Sequence, residues 1–330
     1  MTAAGWWRAA LVVCGLALFA YLLADVGLRA IADSFGVLSW RLLVVLLFPC
    51  VFIKFFDTLG WQWTFVGARV PLLTLARIRL AGQAVNTTTP TGTLGGDAVK
   101  IWMLRDRVSA SDSLASLIVT KTTMVASQGV FLGLGVLVAR HLLALGTPLV
   151  RGMEWLLGLE VVAVVGFVGV QLAGVLGRGH RALRRVGIGM GPGIEEAARD
   201  ADLALAALYR QHAGRVALSV VCYLLGWFAS AAETWLILSF LGVTVTPWSA
   251  LAIEAFSTGV RFATFFVPAQ IGVAEAGSVA ACTALGLSAE IGLSLSLVRR
   301  VREAAWTGVG LLLLAGAPKP APALVRTSEV

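Results

Sequence analysis

Apolar positions along the chain run in long blocks and do not alternate. Clear blocks lie at about residues 9–28, 41–66, 113–139, 153–176, 216–241 and 289–316. A helix needs about 20 apolar residues to cross a bilayer, so each block predicts one full span. Two more stretches, about 80–107 and 248–286, are mostly apolar but break near their middles, at NTTTPTGTLGGDAVK and at FFVPAQIGVAEAG. Proline, small residues and a carboxylate in so few positions do not suit an uninterrupted lipid-facing helix. Both stretches predict re-entrant hairpins of two half-helices, which a membrane tolerates only where protein or a polar cavity surrounds the open backbone. The fold expected is therefore an all-α polytopic membrane protein of about six full spans and two re-entrant hairpins.

Composition agrees with that pattern. Of 330 residues, 58% are apolar and 13% charged, against roughly 25% charged in a soluble domain, which excludes soluble and disordered classes. The four cysteines, Cys14, Cys50, Cys222 and Cys282, lie singly in apolar runs and read as small buried hydrophobes; neither a metal site nor a cofactor is expected. A net charge of +8 admits a nucleic-acid partner until the charges are sorted by position. Placing the polar segment 177–215, with its run GRGHRALRR, in the cytoplasm puts 15 of the 26 basic residues on that side, Arg77 and Arg79 among them in a loop. Four (Arg29, Arg41, Arg140, Arg151) fall opposite, and seven (Lys54, Lys100, Lys121, Arg261, Arg299, Arg300, Arg302) fall at membrane depth. The bias obeys the positive-inside rule, so no nucleic-acid partner is expected. Both termini are placed in the cytoplasm. The first block is read as a retained span, its alternative being a signal peptide, and the helical stretch after the basic loop as lying along the headgroups.

A shift of 178 residues places Pro90 on Pro268, Asp97 on Glu275, Asp112 on Glu290 and Lys121 on Arg299 without a gap. With the orientation above, the two hairpins open from opposite sides. The chain then reads as one membrane domain of two inverted halves, 1–141 and 142–318, with a short cytoplasmic tail at 319–330. Inverted halves with broken helices are the architecture of alternating-access carriers, whose sites lie near the midplane.

Charged residues at membrane depth are the functional candidates. In LVRRVREAAW, Arg299, Arg302 and Glu303 fall on one helix face, and arginine's planar fork suits a phosphate; the alternative is an internal ion network with Glu303, Glu275 or Glu254. Lys54 and Asp57 share a face and are read as neutralising each other. Asp97, with Lys100 three residues on, and Glu275 stand near the starts of half-helices, where they act either as caps or as proton carriers. No Walker loop, GxSxG or HExxH motif is present, and no enzymatic activity is expected.

These residues resemble the flippase-like family typified by the transmembrane region of lysylphosphatidylglycerol synthases, over about residues 9–316. The likeness is sharpest at NTTTPTGTLGGDAVKIWMLR and at FVPAQIGVAEAG with SLVRRVRE. The second pair looks especially like the hopanoid-biosynthesis-associated membrane proteins of that family. The resemblance implies a bacterial inner-membrane protein that moves a polar-headgroup or isoprenoid lipid between leaflets. It carries over onto Pro268, Gly272, Glu275, Arg299, Arg300, Arg302 and Glu303. Lysylphosphatidylglycerol synthases continue into an aminoacyl-transferase domain, whereas this sequence stops about 14 residues after its last span, so lysyl transfer by this chain alone is not expected. Membrane lipids are the expected partners. The second reading is a scaffold for a lipid-biosynthesis enzyme, docked through the basic segment 177–185.

Overall fold

A computed structural model of the chain describes residues 40–66, 69–89, 94–144, 146–172, 203, 205–267 and 270–317. Pro90, Pro268, the expected first span at 9–28, the basic segment 177–185 and the tail at 319–330 lie outside the described residues.

Within them the chain is helical: α1 (Arg41–Gln62), α2 (Leu72–Thr88), α3 (Leu94–Leu104), α4 (Ala110–Leu142), α5 (Pro148–Leu172), α6 (Ala213–Phe240), α7 (Pro247–Ala263), α8 (Val273–Ala284) and α9 (Ala289–Ala315). Four helices are long and apolar enough to cross a membrane: α1, α4, α5 and α6. The 27 residues of α9 suffice in length, but Arg299, Arg300, Arg302 and Glu303 interrupt its apolar character. Each broken stretch is two short helices. At 17 and 11 residues for α2 and α3, and 17 and 12 for α7 and α8, none reaches the roughly 20 needed to span.

Local chemistry sets the helix starts. Ser109 and Ser288 cap the two long helices that follow the hairpins, their hydroxyls accepting from the backbone N–H of Asp112 at 3.0 Å and of Ile291 at 3.4 Å. Thr246 caps α7 in the same way, and Pro247 occupies the first helical position, where its missing N–H costs nothing.

The order long, short, short, long occurs twice, as α1–α4 and as α6–α9, with α5 between. Gln62 and Phe240, the ends of α1 and α6, stand 178 positions apart. Packing repeats with the order: α1 lies along α6, α2 of the first hairpin packs on α9, and α7 of the second packs on α4. Glycines allow the closest approaches. Gly60 receives the buried ring of Tyr223, and Gly310 of α9 lies against the Leu80 carbonyl of α2. Arg215, at the start of α6, donates to the carbonyls of Trp63 (3.1 Å) and Phe65 just past the end of α1, satisfying acceptors that a helix C-terminus leaves open.

Burial runs opposite to a soluble protein. Asp97, Glu160, Glu233, Glu254, Glu275 and Arg299 are buried, while Trp155 is 81% and Val162 71% exposed. Soluble proteins almost never bury charges wholesale beneath an apolar exterior; a bundle surrounded by lipid does. This is a multi-pass membrane protein.

Candidate functional site

Two networks of buried charge occupy the places where the hairpins meet the long helices. In the first, the break between α2 and α3 is closed by Asn86, whose side-chain oxygen accepts from the Gly96 N–H at 2.7 Å. Gly96 lies directly against Gly82, and a side chain at either would strike its neighbour's backbone. This contact holds Asp97 in the first turn of α3. There its carboxylate receives Lys100 at 3.1 Å and, from α4, Lys121. On the other side of the hairpin Arg79 reaches Asp57 of α1 at 2.8 Å, with the Tyr223 hydroxyl beside it. Lys54 donates to Gln83 at 2.7 Å.

Two sequence expectations change here. Asp57 pairs with Arg79 and not with Lys54, because α2 folds against α1 and presents Arg79 to it. Arg77 and Arg79 belong to α2, so they do not sit in a loop. Apolar periodicity hid both, since α2 is the least apolar of the hairpin helices.

The second network is denser. Glu254 of α7 accepts from Arg299 of α9, from Arg261 at 3.0 Å, and from the hydroxyls of Ser230 (2.7 Å) and Thr234 (2.9 Å) of α6. Arg302 pairs with Glu233 of α6. Arg300 pairs with Glu275 at 2.8 Å and donates to the Gln270 carbonyl at 3.0 Å. Glu303 lies 3.6 Å from Arg300 and 4.0 Å from Arg302. Glu275 also caps its own helix, accepting the Gly272 N–H at 2.7 Å. The backbone needed for this is left-handed at Gly272 (φ 79°) and at the non-glycine Gln270 (φ 51°), a conformation that costs energy away from glycine and concentrates at functional sites.

Asp97 and Lys100, three residues apart, thus form one cluster with Lys121 of α4, and Gly272, Glu275, Arg299, Arg300, Arg302 and Glu303 share another. The internal ion network considered as the alternative for the arginines is present. Glu275 serves as a cap, so the Gly272 N–H at the start of α8 is already engaged. Sequence reasoning did not single out Arg79, Glu233, Asn86 or Gln270; for Glu233 the signal was a lone carboxylate inside an apolar run.

Between the halves of the second hairpin and α9 lies a polar cavity of about 50 Å³, lined by Ser257, Arg261, Gln270, Ser278, Ser296, Arg299 and Arg300 among others. That volume is room enough for a few waters. Buried Ser257 Oγ and Arg299 Nε have no hydrogen-bond partner, so this wall offers polar groups to an oxygen-bearing occupant.

The family model for the lysylphosphatidylglycerol synthase TM region matches residues 6–310. The chain belongs to that family. Membership ties it to lipid metabolism as a membrane domain, distinct from the catalytic part of those synthases. No curated protein and no solved structure matches the chain. In this member of the lysylphosphatidylglycerol synthase transmembrane-region family, buried Asp97, Glu254 and Glu275 stand on the broken helices, and among the described residues no group of His, Cys, Asp or Glu is arranged to hold a metal ion.

Proposed function

We propose that the protein is a lipid translocase. It carries a lipid headgroup between leaflets of a bacterial inner membrane by alternating access of two inverted halves. The observation that carries this reading is the pairing of each broken hairpin with a buried charge network on a long helix: Asp97 with Lys121, and Glu275 with Arg300. Ion pairs at membrane depth are expensive for a purely structural bundle, whereas broken helices beside charges are the working parts of carriers.

Both networks offer cations suited to a headgroup. In the second, Arg261, Arg299, Arg300 and Arg302 stand among Glu233, Glu254, Glu275 and Glu303 around the small polar cavity. In the first, Lys54, Arg79, Lys100 and Lys121 stand with Asp57 and Asp97. Lys121 of the first network and Arg299 and Arg302 of the second take the headgroup. A polar-headgroup phospholipid or an isoprenoid phosphate fits the ammonium and the planar guanidinium forks.

The test is flipping of fluorescent phospholipids and isoprenoid lipids by purified protein in liposomes. Acceleration for at least one lipid is expected. Lys121→Gln, which removes a charge-assisted contact of about 1.5–3 kcal/mol, should slow it by roughly tenfold or more. Folded protein that accelerates no lipid overturns the reading.

A further inference from the structure

Midway along α5, within one of the apolar spans, stands Glu160. Its exposure is 0%, and neither carboxylate oxygen has a hydrogen-bond partner. Every other carboxylate buried in this protein meets a cation: Asp97 meets Lys121, Glu233 meets Arg302, Glu254 meets Arg299 and Glu275 meets Arg300, all among the described residues.

The packing explains how Glu160 comes to be buried. On α4, Gly129 and Gly133 form a small-residue notch into which α5 settles; a Cβ on Gly129 would lie 3.7 Å from Glu160 Cγ, and one on Gly133 would lie 4.0 Å from Leu157. Close approach at such a notch is the usual contact of membrane helices. The seam has polar ends. Toward one, Gln171 of α5 donates to Thr122 of α4 at 2.9 Å and accepts from Tyr209 at 2.8 Å. Toward the other, Arg140 of α4 pairs with Glu154 of α5 at 2.6 Å. Glu160 sits in the apolar middle.

Apart from Asp112 at the exposed start of α4, the charged groups described on the helices packed against α5 are committed elsewhere. On α4, Lys121 holds Asp97 and Arg140 holds Glu154; on α7, Glu254 and Arg261 hold each other; on α8, Glu275 holds Arg300. An ionised carboxylate in that position would have neither water nor a counter-charge, and an isolated buried charge is so costly that such a group gives up its charge.

We propose that Glu160 is a proton-binding site, carrying its proton while the α4–α5 seam is closed. The reaction is simple protonation: one proton from water joins one carboxylate oxygen, and no other group changes. The closed seam binds the extra proton, so it is favoured as pH falls, and opening is favoured as pH rises.

The site is tested on the full-length protein in liposomes with dicyclohexylcarbodiimide, which attacks protonated carboxyl groups in apolar surroundings. Mass spectrometry should place the adduct on Glu160 at neutral pH, in decreasing yield as the pH is raised, and the exposed Glu154 should stay unmodified. The infrared band of a neutral carboxylic acid should be present in the unaltered protein and lost in Glu160→Gln. A spectrum without that band, or an adduct that leaves Glu160 untouched, overturns the proposal, and neither result needs the variant to fold. The consequence for transport rests on the translocase reading and is read separately. Lipid flipping should rise with pH in the unaltered protein and be flat in Glu160→Gln, whereas an absence of flipping altogether would strike the translocase reading and leave the carbodiimide and infrared results standing.

Discussion

At the scale of single residues, the fold is held by charges that have found partners at depth. Arg302 and Glu233 illustrate the energetics. Both are largely withdrawn from solvent, and Glu233 is completely buried. Removing one member leaves the other as an uncompensated charge, so Glu233→Gln should destabilise the protein by about 3–5 kcal/mol. Glu233→Leu combined with Arg302→Met replaces the pair by apolar groups and should return most of that stability. Thermal unfolding of both variants in detergent checks the stability, and lipid flipping checks whether the pair serves more than stability; a stable double variant that still flips lipid would assign the pair a structural role alone. The sequence revealed which residues were anomalous and not whom they would meet. Arg299, Arg300 and Arg302 stood out because charge is scarce in an apolar run. That Arg299 would choose Glu254 and Arg300 would choose Glu275 depends on how α7, α8 and α9 rotate against one another, which one-dimensional periodicity does not contain.

At the scale of elements, the hairpins are possible because glycine lets backbones touch. Gly292 on α9 faces α8 so closely that a Cβ would lie 2.7 Å from the Val279 Cα, whereas a Cβ on Gly308 of the same helix would meet nothing within 4 Å. Alanine should therefore act oppositely at the two positions. Gly308→Ala should gain up to about 1 kcal/mol from helix propensity, and Gly292→Ala should lose about 1–3 kcal/mol as α8 is pushed away. Melting temperatures in one detergent would show the contrast; equal effects would mean that α8 and α9 are not in contact at Gly292. The helices themselves were legible in sequence. The breaks at NTTTPTGTLGGDAVK and at FFVPAQIGVAEAG were placed by proline, small residues and a carboxylate, and these segments span the places where α2 gives way to α3 and α7 to α8. The boundaries of α5 were less so: the block at 153–176 begins inside a helix that starts at Pro148, because Arg151 ends the apolar run although helical backbone continues through it.

At the scale of the whole molecule, the recurrence of long, short, short, long raises the question of which way each half faces. Helices α4, α5 and α6 are each long enough to cross once. If residues 173–212 stay on one side, the start of α4 and the start of α9 lie on opposite faces of the membrane. Asp112 and Glu290 mark these two starts: each is exposed, each stands in the first turn after its serine cap, and they are 178 positions apart. Each should therefore be reached from one side only. Cysteine introduced as Asp112→Cys should react with a membrane-impermeant maleimide from the cytoplasm, and Glu290→Cys should react from outside, in a background where Cys14, Cys50, Cys222 and Cys282 are replaced by alanine or serine. Neither residue is in an ion pair among the described residues, so both substitutions should be within about 0.5 kcal/mol of neutral. Labelling from the same side would mean that the halves are parallel, and a parallel arrangement would direct both hairpins to one leaflet. A headgroup could then enter between the lysine network and the arginine network from that leaflet but could not leave toward the other by exchange of the halves. The side of Glu290 relative to Asp112 thus decides whether the two charge networks act in turn on one lipid.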